Sequence, residues 1–180
     1  MATGYGPKWT ITENQTATPG TPNPPQILIQ AQSSGLDDGT TRPRNQLVQI
    51  NGTSVVNSSS PRSYRMTRLT NTGSGWTYNA SNGYDVYGNQ TAADNALAFL
   101  QTFQDSDILV LNTWDEPNNR RTTFRDELVN NFGAKLQYSS TWGSRCSYLL
   151  VAVKGKGALH LYIKPRYTTE LNVVSMWVGF

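Results

Sequence analysis

The chain has 180 residues, of which 37% are apolar and 15% charged, with a formal net charge of +3. That length supports one domain with a core of its own plus some further segment. So small a charge, with no run of Lys or Arg, argues against nucleic-acid binding; a single cysteine, Cys146, excludes an intrachain disulfide framework; and no apolar stretch approaches the roughly 18–20 residues that span a bilayer, so no membrane insertion is expected.

In chain order, the opening MATGYGPKWTITENQ has neither a basic nor an apolar signal-peptide region, so no secretory signal and a reducing compartment are expected. The N-x-S/T triplets at Asn14, Asn51, Asn57, Asn79 and Asn89 then read as products of a Ser/Thr/Asn-rich composition rather than glycosylation sites. Residues 1–45 hold most of the prolines, including TPGTPNPP at 18–25, and read as an extended arm with one short strand, QILIQAQ at 26–32. Tyr5, Trp9 and the Ile-Leu-Ile run predict that this arm docks on a partner. QLVQING at 46–52 predicts a strand closed by an Asn-Gly turn. RSYRMTRLT at 62–70 alternates, with Tyr64 and Met66 on one face and Leu69 on the other. WTYNAS and NGYDVYG follow, the latter with Tyr84 and Val86 opposite Asp85 and Tyr87.

TAADNALAFLQTFQD at 91–105 predicts a helix capped by Thr91, with Ala93, Ala96, Leu97, Leu100 and Phe103 on one stripe. SDILVLNTW at 106–114 predicts a buried strand. TTFRDELVNNFG at 122–133 predicts a second helix: Phe124, Leu128 and Phe132 recur every four residues, and Gly133 ends it. SYLLVAV at 147–153 predicts another buried strand closed by KGKG, and the tail at 158–180 predicts two strands around Pro165. The expectation is an α+β domain over 46–157, an extended arm before it and a β tail at 158–180 behind it.

The residues with chemistry are few. Asp115 and Glu116 leave a buried strand together, but neighbouring positions on an extended chain face apart, so they are expected to form a turn, with a ligand contact second and acid–base catalysis last. His160 and Cys146 stand in no nucleophile motif, and ligand spacings for a metal are missing, so neither a metal nor a cofactor is expected. KGKG lacks the phosphate-loop pattern. Arg62, Arg65 and Arg68 look like a patch, but on a strand they alternate faces and read as solvated surface. Trp76, Tyr78, Tyr84, Tyr87, Trp114, Tyr138, Trp142 and Tyr148 lie among Asn- and Gly-rich turns; most rings are expected in the core, yet rings beside Asp, Asn and Arg also suit a sugar.

The order NGYDVYGN, helix, DILVLNTWDEP, helix ending NNFGAK, then SRCSYLLVAVKGKG resembles the GG domain, also called the interleukin-like EMT-inducer domain. Tyr84, Asp85, Tyr87, Asp115, Glu116, Gly133, Arg145, Tyr148, Lys154 and Gly155 match the family frame. The chain departs from it twice: Arg62-Ser63 stands where the family has Arg-Gly, and Cys146 where it has Asp. The resemblance implies a compact β-β-α arrangement of two sheets with helices, and no catalysis. It also implies glycan contacts at Asp115 and Arg145, with Trp114 and Trp142 as stacking partners. The wording of WDEPNNRR and of the lead-in NGTSVVNSSSPRSYRMTRL is similar to versions in phage structural proteins. That implies a non-enzymatic bacteriophage virion protein, made in the host cytoplasm and displayed externally in a tail fibre or host-attachment apparatus. Its expected partners are other virion proteins, through the arm and tail, a host cell-surface glycan, and further copies of itself in a homo-oligomer. The alternatives are a capsid decoration protein or a stand-alone carbohydrate-binding or cytokine-like module.

Overall fold

The computed structural model describes residues 26–35, 45–58, 62–134, 146–164 and 172–179. Its elements are β1 (Gln26–Ser33), β2 (Gln46–Ile50), β3 (Thr53–Ser58), β4 (Ser63–Asn71), β5 (Trp76–Tyr84), α1 (Gln90–Gln101), β6 (Ile108–Trp114), α2 (Thr122–Phe132), β7 (Ser147–Val153), β8 (Gly157–Lys164) and β9 (Asn172–Gly179). They make an α+β fold with two antiparallel sheets, ordered β3-β2-β1-β9 and β5-β4-β6-β7-β8.

Two apolar clusters explain the layering. On one face of the five-stranded sheet, Met66, Leu109, Leu111 and Leu150 pack against Ala93, Ala96 and Leu100 of α1 and Phe124, Leu128 and Phe132 of α2. On its other face, Leu69, Ile108, Val110 and Val151 meet Ile27, Ile29, Val48 and Val178 of the four-stranded sheet. The central strands β6 and β7 are therefore covered on both sides, which is why ILVL and SYLLVAV are continuous apolar runs, while β2 and most of β1 alternate. Tyr64 and Met66 face the helices and Leu69 the second sheet, as the alternation predicts.

The expected Asn-Gly turn is present: Asn51 and Gly52 sit at φ 49° and 79° between β2 and β3. Its position is fixed by β1, because the Asn51 amide donates to the Leu28 carbonyl at 2.9 Å and the Leu28 amide donates to Asn51 Oδ1 at 2.9 Å. The two flanking segments contain strands of the sheets. β1 lies in the segment read as an arm, and β8 and β9 flank Pro165 in the tail; β1 and β9 pair with each other over their whole length. Residues 1–25, with Tyr5 and Trp9, lie outside the described residues.

Three details depart from expectation. Helix α1 starts two residues earlier than a Thr91 cap implies, because Asn89 is its cap and accepts from the Ala92 amide at 3.4 Å. It ends at Gln101, yet Phe103 still enters the core, edge-on to Phe99 and Phe132. Arg65 and Arg68 fall on opposite faces of β4, as the alternation implies, but they are paired within the fold rather than simply solvated. Arg68 donates to the buried carboxylate of Asp107 at 2.8 Å and lies over the Phe103 ring, while Arg65 turns to the other side and donates to Gln46 Oε1 at 3.1 Å. Burial pushes the Arg65 guanidinium below its ordinary value.

Helix α2 ends as predicted, with Gly133 at φ 66° and the Ala134 amide donating back to the Leu128 carbonyl. The KGKG hairpin then ties both helix ends to the sheet. Lys154 Nζ donates to the Phe103 carbonyl just past α1 at 2.7 Å, and the Gly155 amide donates to Asn131 of α2 at 2.9 Å. A cation there also suits the negative end of the α1 dipole. Lys154, Gly155, Gly133 and the core residue Tyr148 are thus structural.

Candidate ligand-binding site

Chain direction brings two loops together at the C-terminal end of β6. One is the Asp85–Asn89 stretch leaving β5, the other the Asp115–Arg121 stretch leaving β6. Between them lies the start of β4, because Ser63 pairs in register with Trp114.

Ser63 has φ 81°, a backbone region that favours glycine. In this conformation its hydroxyl donates to the Glu116 carbonyl at 2.7 Å and accepts from the Tyr87 amide at 3.3 Å. One buried side chain therefore bolts both loops to β4. The second loop adds its own clasp: Asn119 Nδ2 donates to the Tyr87 carbonyl at 2.6 Å, and the Arg120 guanidinium donates to the same oxygen. Arg120 therefore serves backbone carbonyls.

Asp115 and Glu116 diverge, but not for the reason read from an extended chain. Asp115 occupies the left-handed region at φ 66°, so the backbone turns at this residue. Glu116 is buried, and its Oε1 accepts from the Asn118 amide at 2.9 Å, which makes it the turn-former. Asp115 instead lies close enough to Arg62 for its charge to act on the guanidinium. Arg62 Nε reaches both oxygens of Asp85, at 2.9 and 3.0 Å. This hydrogen bond, helped by the charges of Asp85 and Asp115, holds Arg62 above its ordinary pKa. The guanidinium lies 4.7 Å from the centroid of the Tyr87 ring. Asp85 Oδ1 accepts in addition from the Gly88 amide at 3.2 Å, and a Cβ on Gly88 would come within 3.1 Å of Arg62.

The resulting cluster is Arg62, Asp85, Tyr87 and Asp115. The Arg62 and Asp85 side chains remain 37% and 35% exposed, and Tyr87 is one of only two large apolar side chains that are exposed among the described residues, at 43%. The other is Tyr78. Guanidinium donors, the Asp85 carboxylate and a ring face converge at an accessible rim, with Asp115 half-buried beside them. Such a set can take the hydroxyls and C–H face of a saccharide. The remaining aromatics follow the core reading: Tyr84 and Tyr148 are buried, and Trp76 packs at a turn with its Nε1 donating to the Ser106 carbonyl at 2.9 Å.

Of the four glycan candidates, Asp115 and Trp114 are adjacent at this rim, Trp114 half-buried. Arg145 and Trp142, like Tyr138, lie outside the described residues. In the sequence Arg62 stands out as one of three strand arginines and, with Ser63, as a departure from the Arg-Gly pair. The signal that could have singled them out is Asp85, a carboxylate between two apolar positions that requires a cation. Among the described residues no group of three or more His, Cys, Asp or Glu could hold a metal ion, and no helix is long and apolar enough to cross a membrane. No protein-family model matches the chain, and no curated protein is significantly similar to it.

Proposed function

We propose that this chain is a non-enzymatic structural protein of a bacteriophage virion, in the tail-fibre or host-attachment apparatus, and that its GG-type domain binds a cell-surface carbohydrate. One observation carries the reading. The positions matched to the family frame by sequence, Asp85, Tyr87 and Asp115, converge on Arg62, with Asp85 and Tyr87 accessible and Asp115 half-buried. Ser63, where the family has glycine, adopts a φ of 81°, a conformation that glycine takes freely, which supports matching Arg62-Ser63 to the Arg-Gly pair. The non-enzymatic reading is supported by Glu116, whose carboxylate serves its own turn and does not face a substrate together with Asp115.

A glycan array of neutral and acidic oligosaccharides tests the binding. The wild-type chain is expected to bind a defined subset, and Asp115→Asn, which tolerates the left-handed backbone, to weaken it at least tenfold; Arg145→Ala is expected to act in the same direction. Unchanged binding in Asp115→Asn, or no binding by the wild type, overturns the site. Antibody labelling of intact particles tests the location, and label on the head rather than the tail overturns the tail assignment.

A further inference from the structure

The four-stranded sheet has an outer face that neither helix covers, since α1 and α2 pack on the far side of the five-stranded sheet. Alternation sets its composition. Ile27, Ile29 and Ala31 of β1 and Val48 and Ile50 of β2 point inward to the shared core. Leu28 and Gln30 therefore point outward, as do Leu47 and Gln49, all four half-buried, and Gln30 stands opposite Gln49 in the ladder. The strands β1, β2, β3 and β9 contain no Asp, Glu, Lys or Arg at any position. The helix layer differs: α2 alone carries Arg125, Asp126 and Glu127.

A solvent-facing surface ordinarily carries about a quarter to a third charged residues, whereas the centre of a protein interface is depleted of them. The chemistry of the face selects its occupant. With no charge, it offers nothing to an oppositely charged partner. In a two-fold contact the patch faces its own copy, so a patch of one charge sign repels itself and residues near the axis meet their own counterparts; this face carries no charge to be penalised. Glutamine amides both donate and accept, so Gln30 and Gln49 are complementary to themselves. Four strands about 4.8 Å apart and averaging roughly 7 residues at about 3.3 Å each give on the order of 440 Å² of flat sheet per copy, so two copies cover roughly 900 Å² before side-chain relief, close to the ~1,000 Å² at which specific interfaces begin.

We propose that this outer face is a self-association surface, on which a second copy of this chain docks face to face about a two-fold axis through Leu28, Gln30, Leu47 and Gln49. The proposal is independent of the carbohydrate site, which lies on loops leaving β5 and β6.

Sedimentation of the full chain at tens of micromolar should show a dimer. Gln30→Glu/Gln49→Glu and Gln30→Lys/Gln49→Lys should each weaken dimerisation at least tenfold, and their equimolar mixture should restore a heterodimer. A monomeric wild type, or variants that sediment as the wild type does, overturns the proposal. Hydrogen exchange of the unsubstituted chain gives a reading that needs no variant to fold: protection lost on dilution should map to β1 and β2, and loss confined to other elements overturns the assignment. Glycan binding by the monomeric variants separates this test from that of the ligand site.

Discussion

Replacing Gly133 by Ala probes the contact that fastens α2 to the sheet. Two costs combine. At φ 66° an L residue pays a left-handed penalty of about 1 kcal/mol or slightly more. A Cβ there would also lie 2.8 Å from Ala158 N and 2.8 Å from Gly157 Cα, both backbone atoms that cannot rotate away. Overpacking of this kind costs about 1–3 kcal/mol, so the sum is on the order of 3 kcal/mol, or a fall in Tm of roughly 6–12 °C at this chain length. Urea unfolding of both proteins measures it as a shift in midpoint at constant slope. Gly73→Ala is the internal control. Gly73 has φ 79° with nothing within 4 Å of its Cβ position, so it keeps the conformational cost and loses the steric one. If Gly133→Ala destabilises no more than Gly73→Ala, the C-terminus of α2 does not sit against β8 and the reasoning fails.

Asp107→Ala should cost about 3–5 kcal/mol in the same assay, since it strands the mostly buried Arg68 and removes the acceptor of the Asn71 and Gln104 amides, both at 2.9 Å; a loss below about 1 kcal/mol contradicts that role. Burial pushes the Tyr84 hydroxyl up to about 12, against about 10 in an unfolded chain. The folded state therefore holds this proton more tightly, so its contribution is complete below pH ~10 and is lost as pH rises toward ~12, on the order of 2 kcal/mol. Tyr84→Phe should flatten that alkaline limb in urea unfolding at a series of pH values, and an identical limb in both proteins refutes the assignment.

What could be read from the sequence was local. Period-two alternation placed Tyr64, Met66 and Leu69 on their correct faces, four-residue spacing placed Phe124, Leu128 and Phe132, and the Asn51-Gly52 and Gly133 signals marked a turn and a helix end because each depends on the conformation of one or two residues. Pairings across long stretches of chain leave no such trace. Arg68 and Asp107 are 39 residues apart, and β1 and β9 pair across nearly the whole chain. Periodicity reports which face is apolar, but not which strand lies alongside. The Arg62–Ser63 step shows the same limit at the candidate site. A serine gives no hint of a positive φ, because that conformation is imposed by its bonds to Glu116 and Tyr87, far along the sequence. The Asp115 turn was expected as a turn, while its proximity to Arg62 follows only from the register of β4 with β6.

The pairing of Gln26 with Gly179 has a mechanical meaning. Ser33, at the other end of β1, bonds to Thr113 just before the Asp115 turn, so the strand runs from beside the candidate site to the far end of the β1–β9 ladder. Tension between a held ligand and the chain beyond Gln26 or Gly179 would run along the strands, loading many ladder hydrogen bonds at once. Tension between those two neighbouring points would instead open the β1–β9 ladder one bond at a time, each contributing only about 1 kcal/mol. The same two strands would thus resist pulling in the first direction and yield readily in the second.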